Sequence, residues 1–107
     1  MAGVDQLLLD EIVRRILSVA GPELVIMFGS ASSGSMTRDS DIDLLVVETS
    51  PGNAREKSIV IRKALRGLGF PFDVIVVSSE RFYETKNVIG GIAYPACKYG
   101  KVIYEAA

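Results

Sequence analysis

Apolar residues recur every three or four positions from Val4 to Ala20, with Leu8, Ile12, Ile16 and Val19 on one stripe and Leu9, Val13, Leu17 and Ala20 beside it. That spacing predicts an amphipathic helix, ended by Gly21-Pro22. The pattern then changes. "LVIMF" (Leu24 to Phe28) and "FDVIVVS" (Phe72 to Ser78) are short apolar runs, each abutting a Gly or Pro, and predict buried strands. "DIDLLVV" (Asp41 to Val47) predicts a strand that starts polar and continues as core, and "KVIYE" (Lys101 to Glu105) a last one. Asn53 is placed to cap a helix running to about Leu68. Its inward residues are expected to be Ile59, Val60, Ala64 and Leu65, with Arg55, Lys57, Arg62, Lys63 and Arg66 mostly outward and Gly67 and Gly69 ending it. Glu80 to Lys86 and Val88 to Tyr99 predict helical stretches, the second weakened by Gly90, Gly91 and Pro95. The expected class is α/β (α+β): a single domain over residues 1–107 with a small mixed β-sheet and helices packed on it.

At 107 residues the chain can bury one core but is not expected to enclose a deep pocket, so a large substrate should bind on an open face or against a partner. The net charge of -1 predicts no strong attraction to nucleic acid or to an anionic membrane. With one cysteine, Cys97, and no histidine, neither an intrachain disulfide nor a Cys/His zinc cage nor a Ser-His-Asp triad can be built. The first helix carries Asp5, Asp10 and Glu11 where a secretory signal would be basic and then apolar, and no apolar run approaches about 18 residues. The expected location is cytoplasmic. The available chemistry is that of carboxylates, hydroxyls, lysines and arginines.

The segment "FGSASSGSMTRDSDIDLLVV" concentrates that chemistry. In a strand, alternate side chains share a face, so Asp41 and Asp43 point the same way about 6.6 Å apart, while Ile42 enters the core. Two carboxylates so placed repel, and a hard divalent cation such as Mg²⁺ resolves the conflict. Asp73 can complete a triad of carboxylates if its strand neighbours that of Asp43, a set able to hold two metals. Taken singly, each feature also has a plainer meaning: Asp-x-Asp as turn chemistry or a solvated edge, Asp73 as a strand-entry residue after Pro71, Gly29-Ser30 as a tight turn. In conjunction, small residues that let backbone N–H groups face a phosphate lead back to carboxylates that can hold a cation. Gly29 and Gly34 have the glycine spacing of a P-loop, but Ser35-Met36 stand where Lys-Ser/Thr is required, and G-x-G-x-x-G does not occur.

Gly29-Ser30, ten further residues, and then Asp41-Ile42-Asp43 resemble the signature of the polymerase-β-type nucleotidyltransferases, most closely their minimal, single-domain prokaryotic branch. "FPFDVIVVS" looks like that family's third carboxylate strand, and "GIAYPACKYGKVIYE" is similar to the tail of many minimal members. The resemblance implies transfer of AMP from ATP to a hydroxyl, with two Mg²⁺ ions and release of pyrophosphate. It implies that Gly29, Ser30 and Ser40 bind the nucleotide and that Asp41, Asp43 and Asp73 are the catalytic metal ligands. Many minimal members act as antitoxins of a HEPN-domain ribonuclease, in some cases by attaching AMP to one of its tyrosines, so the implied partners are a nucleoside triphosphate and a HEPN-domain protein. A homo-oligomer stays open. The alternative is a degenerate module that neutralises its partner by occlusion. One departure bears on it: family members often place an arginine two or three residues after Gly-Ser, where this chain has Ser32 and Ser33, leaving Arg38 as the loop's one cation.

Overall fold

A computed structural model describes residues 6–28, 41–85 and 100–106. In chain order these form helix α1 (Gln6–Val19), strands β1 (Leu24–Phe28) and β2 (Ile42–Glu48), helix α2 (Ala54–Ala64), strand β3 (Phe72–Ser78), the short helix α3 (Ser79–Thr85) and strand β4 (Lys101–Glu105). The four strands make one mixed sheet in the order β3-β2-β1-β4. β1 pairs antiparallel with β2 and with β4, the latter with a register shift between Val25 and Ile26, and β2 pairs parallel with β3. A parallel pair needs a crossover, and α2 lies within it. The expected α/β (α+β) class with a mixed sheet is therefore observed.

Alternation along the strands divides the core. Val25, Met27, Ile42, Leu44, Val46, Val74 and Val76 face α1 and α2, where they meet Leu9, Ile12, Ile16, Ile61 and Leu65. Ile26, Leu45, Val47 and Val77 line the opposite face with Phe82 of α3. The central strand β2 is consequently buried on both sides, as its near-continuous apolar run requires. Arg15 fastens the two long helices together: its Nη1 donates to the carbonyls of Ala64 (3.3 Å) and Arg66 (2.6 Å), capping the C-terminal end of α2 with a cation.

The predicted α2 needs correction on its inward face. Ile59 and Val60 are 40% and 43% exposed, whereas Ile61 and Leu65 are buried. Three consecutive β-branched residues cannot share one helix face. The stripe that meets the sheet runs through Ala54, Ile61 and Leu65, at helical spacing, and leaves Ile59 and Val60 outside it. The regular helix also stops earlier than Leu68, at Ala64, followed by a turn in which Leu65 N–H donates to the Ile61 and Arg62 carbonyls. Gly67, at φ 89°, then takes a backbone conformation that a side chain would oppose. At the other end the expected cap is present, with Asn53 Oδ1 accepting from Glu56 N–H at 3.0 Å.

Candidate functional site

Three aspartates stand where β2 and β3 begin, two within the strands and one just before β2. Asp43 and Asp73 are direct partners in the parallel β2–β3 register, and both stand on the face opposite α1 and α2 because Leu44 and Val74 point into that core. A bond from Ile42 N–H to the Pro71 carbonyl, 2.9 Å, ties the starts of the two strands together. Asp41 precedes β2 by one residue and is exposed. The condition that β2 and β3 be neighbours is met, and the in-register pairing sets Asp73 beside Asp43.

The electrostatics follow from that placement. Asp43 is half-buried, and its carboxyl is pushed above the ordinary carboxylate range by burial first, then by the negative charges of Asp73 and Asp41. Asp43 thus senses both neighbours at once. Among the described residues no cation is bonded to any of the three carboxylates. Nor is any group of three or more His, Cys, Asp or Glu side chains among those residues gathered closely enough to hold an ion as it stands. Side chains of like charge separate when nothing bridges them. The donor set is all carboxylate oxygen, the half-buried member has no counter-charge among the described residues, and a hard divalent cation suits both facts.

The segment that carries the nucleotide-binding expectation leaves β1 at Phe28, which is paired with Asp43, and returns to the described residues at Asp41. Both its ends are therefore at the carboxylates. Gly29, Ser30, Arg38 and Ser40 themselves lie outside the described residues, as do Cys97 and the helical stretch expected over Val88 to Tyr99.

A second feature was not singled out from the sequence beyond its basic helix. A groove of about 450 Å³ opens between the C-terminal half of α2 and the start of β3, with Arg62, Lys63 and Arg66 on its walls and Ile59, Leu65, Phe70, Pro71 and Phe72 as its apolar lining. The signal was present in "IVIRKALRGLGFPF", but only the fold shows that Phe70 and Phe72 come back against the basic helix.

Comparison with known proteins gives two findings. The model of a family described as "Nucleotidyltransferase domain" matches residues 9–94, most of the chain. A solved structure described as "Crystal structure of the toxin-antitoxin with AMP-PNP" has a similar fold, with a TM-score of 0.62 at 21% sequence identity, over 92% of this chain and 73% of the other. No curated protein matches the sequence significantly.

Proposed function

The chain belongs to the nucleotidyltransferase domain family, and from that premise we propose that it transfers AMP from ATP to a hydroxyl of a partner protein, with Mg²⁺ and release of pyrophosphate. The observation that carries this reading is the in-register pairing of Asp43 with Asp73, close enough that Asp73 and Asp41 both raise the Asp43 carboxyl. We further propose that the chain acts as an antitoxin whose acceptor is a tyrosine of a HEPN-type toxin. Support for this comes from the sequence resemblance and from a structure of similar fold that is itself a toxin-antitoxin with AMP-PNP.

In such a transfer the acceptor oxygen bonds to the α-phosphorus, the α–β bridging P–O bond breaks, and pyrophosphate leaves with its electron pair. Positioning and charge neutralisation do most of the work. Asp41, Asp43 and Asp73 are the residues that would hold Mg²⁺, which when bound neutralises the triphosphate and the departing pyrophosphate. Asp43 lies between the other two and cannot find a counter-charge within the described chain, so it favours a cation from outside. Asp73 is exposed on β3, an outer strand of the described sheet, and is accessible to take the acceptor's proton. Gly29, Ser30 and Ser40 are proposed to hold the triphosphate, their segment beginning and ending beside Asp43.

The test is incubation with ATP labelled at the α-phosphate, Mg²⁺ and the product of the adjacent gene. Label should move to that protein, and Asp41→Asn, Asp43→Asn and Asp73→Asn should each stop it without unfolding the chain. Undiminished labelling by the variants contradicts the proposal. The second reading, neutralisation by occlusion, is favoured by Ser32 and Ser33 standing where relatives often carry arginine. It is distinguished by aspartate variants that transfer nothing and still inhibit the toxin.

A further inference from the structure

We infer that the groove between α2 and β3 is a docking site for an acidic, extended segment of a partner protein that carries an apolar or aromatic side chain. Arg62, Lys63 and Arg66 are exposed around it and form no ion pair among the described residues, where the two ion pairs both involve Glu11. Three cations so close together repel one another and gain from an anionic occupant. Between them Ile59, Leu65, Phe70 and Phe72 supply an apolar lining, and about 450 Å³ accommodates one or two large side chains. The groove thus asks for negative charge on its rim and an apolar group at its centre, the usual division between rim and anchor in a protein interface.

Two observations favour a protein over RNA. β3 is an outer strand of the described sheet, and its outer edge offers main-chain donors and acceptors to an extended peptide. The cations are confined to one short helix end on a chain of net charge -1, too few to track a phosphate backbone. Among the chain's own undescribed stretches, 86–99 contains Lys86 and Lys98 and no acid, 29–40 balances Asp39 with Arg38, and 1–5 carries a single acid, Asp5, against the groove's three cations. Phe72 lines the groove while Asp73, the next residue, stands on the other face of the same strand. A partner seated in the groove is thereby held at the end of the molecule where the carboxylates lie. The docking itself does not depend on nucleotidyl transfer; only its use in presenting an acceptor rests on that reading.

The experiment follows backbone amide shifts of the full chain by NMR during titration with a short acidic peptide bearing a central Leu-Phe pair, without nucleotide or metal. Expected are shifts centred on Ile59, Leu65, Phe70 and Phe72, saturating near about 100 µM to 1 mM, the range of a weak single-segment contact. The Arg62→Gln/Arg66→Gln variant, altered only at exposed side chains, should bind at least about tenfold more weakly with its melting temperature lowered by no more than a few degrees. Ile59→Asp should weaken binding as well, and Asp43→Asn should leave it unchanged. Absence of groove shifts at saturating peptide, equal binding of a peptide with lysine in place of each acid, or tighter binding of a short single-stranded RNA would each overturn the inference. Binding that survives while ATP and Mg²⁺ fail to bind removes the nucleotidyl-transfer proposal and leaves the docking site standing.

Discussion

Two carboxylates of this chain sit in opposite electrostatic surroundings. Glu11, on α1, accepts from Arg14 and from Arg15 Nε (2.7 Å), and its carboxyl is pulled down to about 2 by the Arg14 bond and then the Arg15 bond. Asp43, on β2, has Asp73 and Asp41 for neighbours and is pushed upward. The first is satisfied within the chain and holds Arg15, which in turn caps α2. The second has no cation to relieve that repulsion among the described residues. A group that destabilises its own surroundings persists where something outside the chain completes it, and this contrast separates a structural ion pair from a binding site.

The strongest way to break the contrast is to neutralise each carboxylate in turn and measure nucleotidyl transfer. Asp43→Asn should lower it by at least about a hundredfold, the scale of losing one charge-organising group, and Glu11→Gln should leave it within about twofold. Comparable losses in both would erase the distinction. Next in size is the core between the sheet and its two long helices. Ile61→Ala should cost about 3 kcal/mol, and Ile59→Ala under about 0.5 kcal/mol, as read from denaturant midpoints. Equal costs would return Ile59 to the inner face.

Ligand linkage gives a smaller effect. Saturating Mg²⁺ with an ATP analogue should raise the melting temperature of the native chain by several degrees, about 2 to 3 kcal/mol at a hundred times the dissociation constant, and should do little for Asp43→Asn. The pH dependence of the metal-free protein is smaller still, and the two groups act in opposite senses. Because the folded-state pKa of Asp43 is raised, the native state binds more protons than the unfolded chain, and stability falls as pH rises from the ordinary value of 3.8 through the raised one. Asp43→Asn should therefore melt a few degrees higher at neutral pH without metal. Glu11 is depressed from 4.5 to about 2, so its contribution is present above 4.5 and fades as pH falls through that window. Glu11→Gln should flatten only the acid limb, and slightly, since the pair is exposed to solvent.

Much of the scaffold was legible before any coordinates. β1, β3 and β4 occupy the residues their apolar runs marked, since a strand buried on a small sheet has few ways to end other than at Gly, Pro or a polar cluster. β2 is shifted by one residue from the expected Asp41 to Val47, starting at Ile42 and ending at Glu48. That glutamate reads as a boundary yet is buried, with Oε2 accepting from Gly21 N–H at 3.0 Å, a contact between residues 27 positions apart. The inward face of α2 was misread because "IVI" is apolar at three successive positions, and only packing selects Ile61. The three aspartates could be proposed from the sequence as a set of residues but not as an arrangement. Nothing local fixes the parallel register of β2 on β3, which a slip of one residue would convert from facing Asp43 and Asp73 to opposing them across the sheet. The groove was invisible for the same reason, since Phe70 and Phe72 meet Arg62 only after the chain turns at Gly67.

Whether the three aspartates act as one cation site is read most directly with Mn²⁺ in place of Mg²⁺, by following paramagnetic broadening of side-chain carboxylate carbons. At substoichiometric Mn²⁺ the carbons of Asp41, Asp43 and Asp73 should broaden together, with Glu11 and Glu48 unaffected. Broadening that spares Asp43 and Asp73, or that appears equally at Glu11, would contradict a shared cation between β2 and β3.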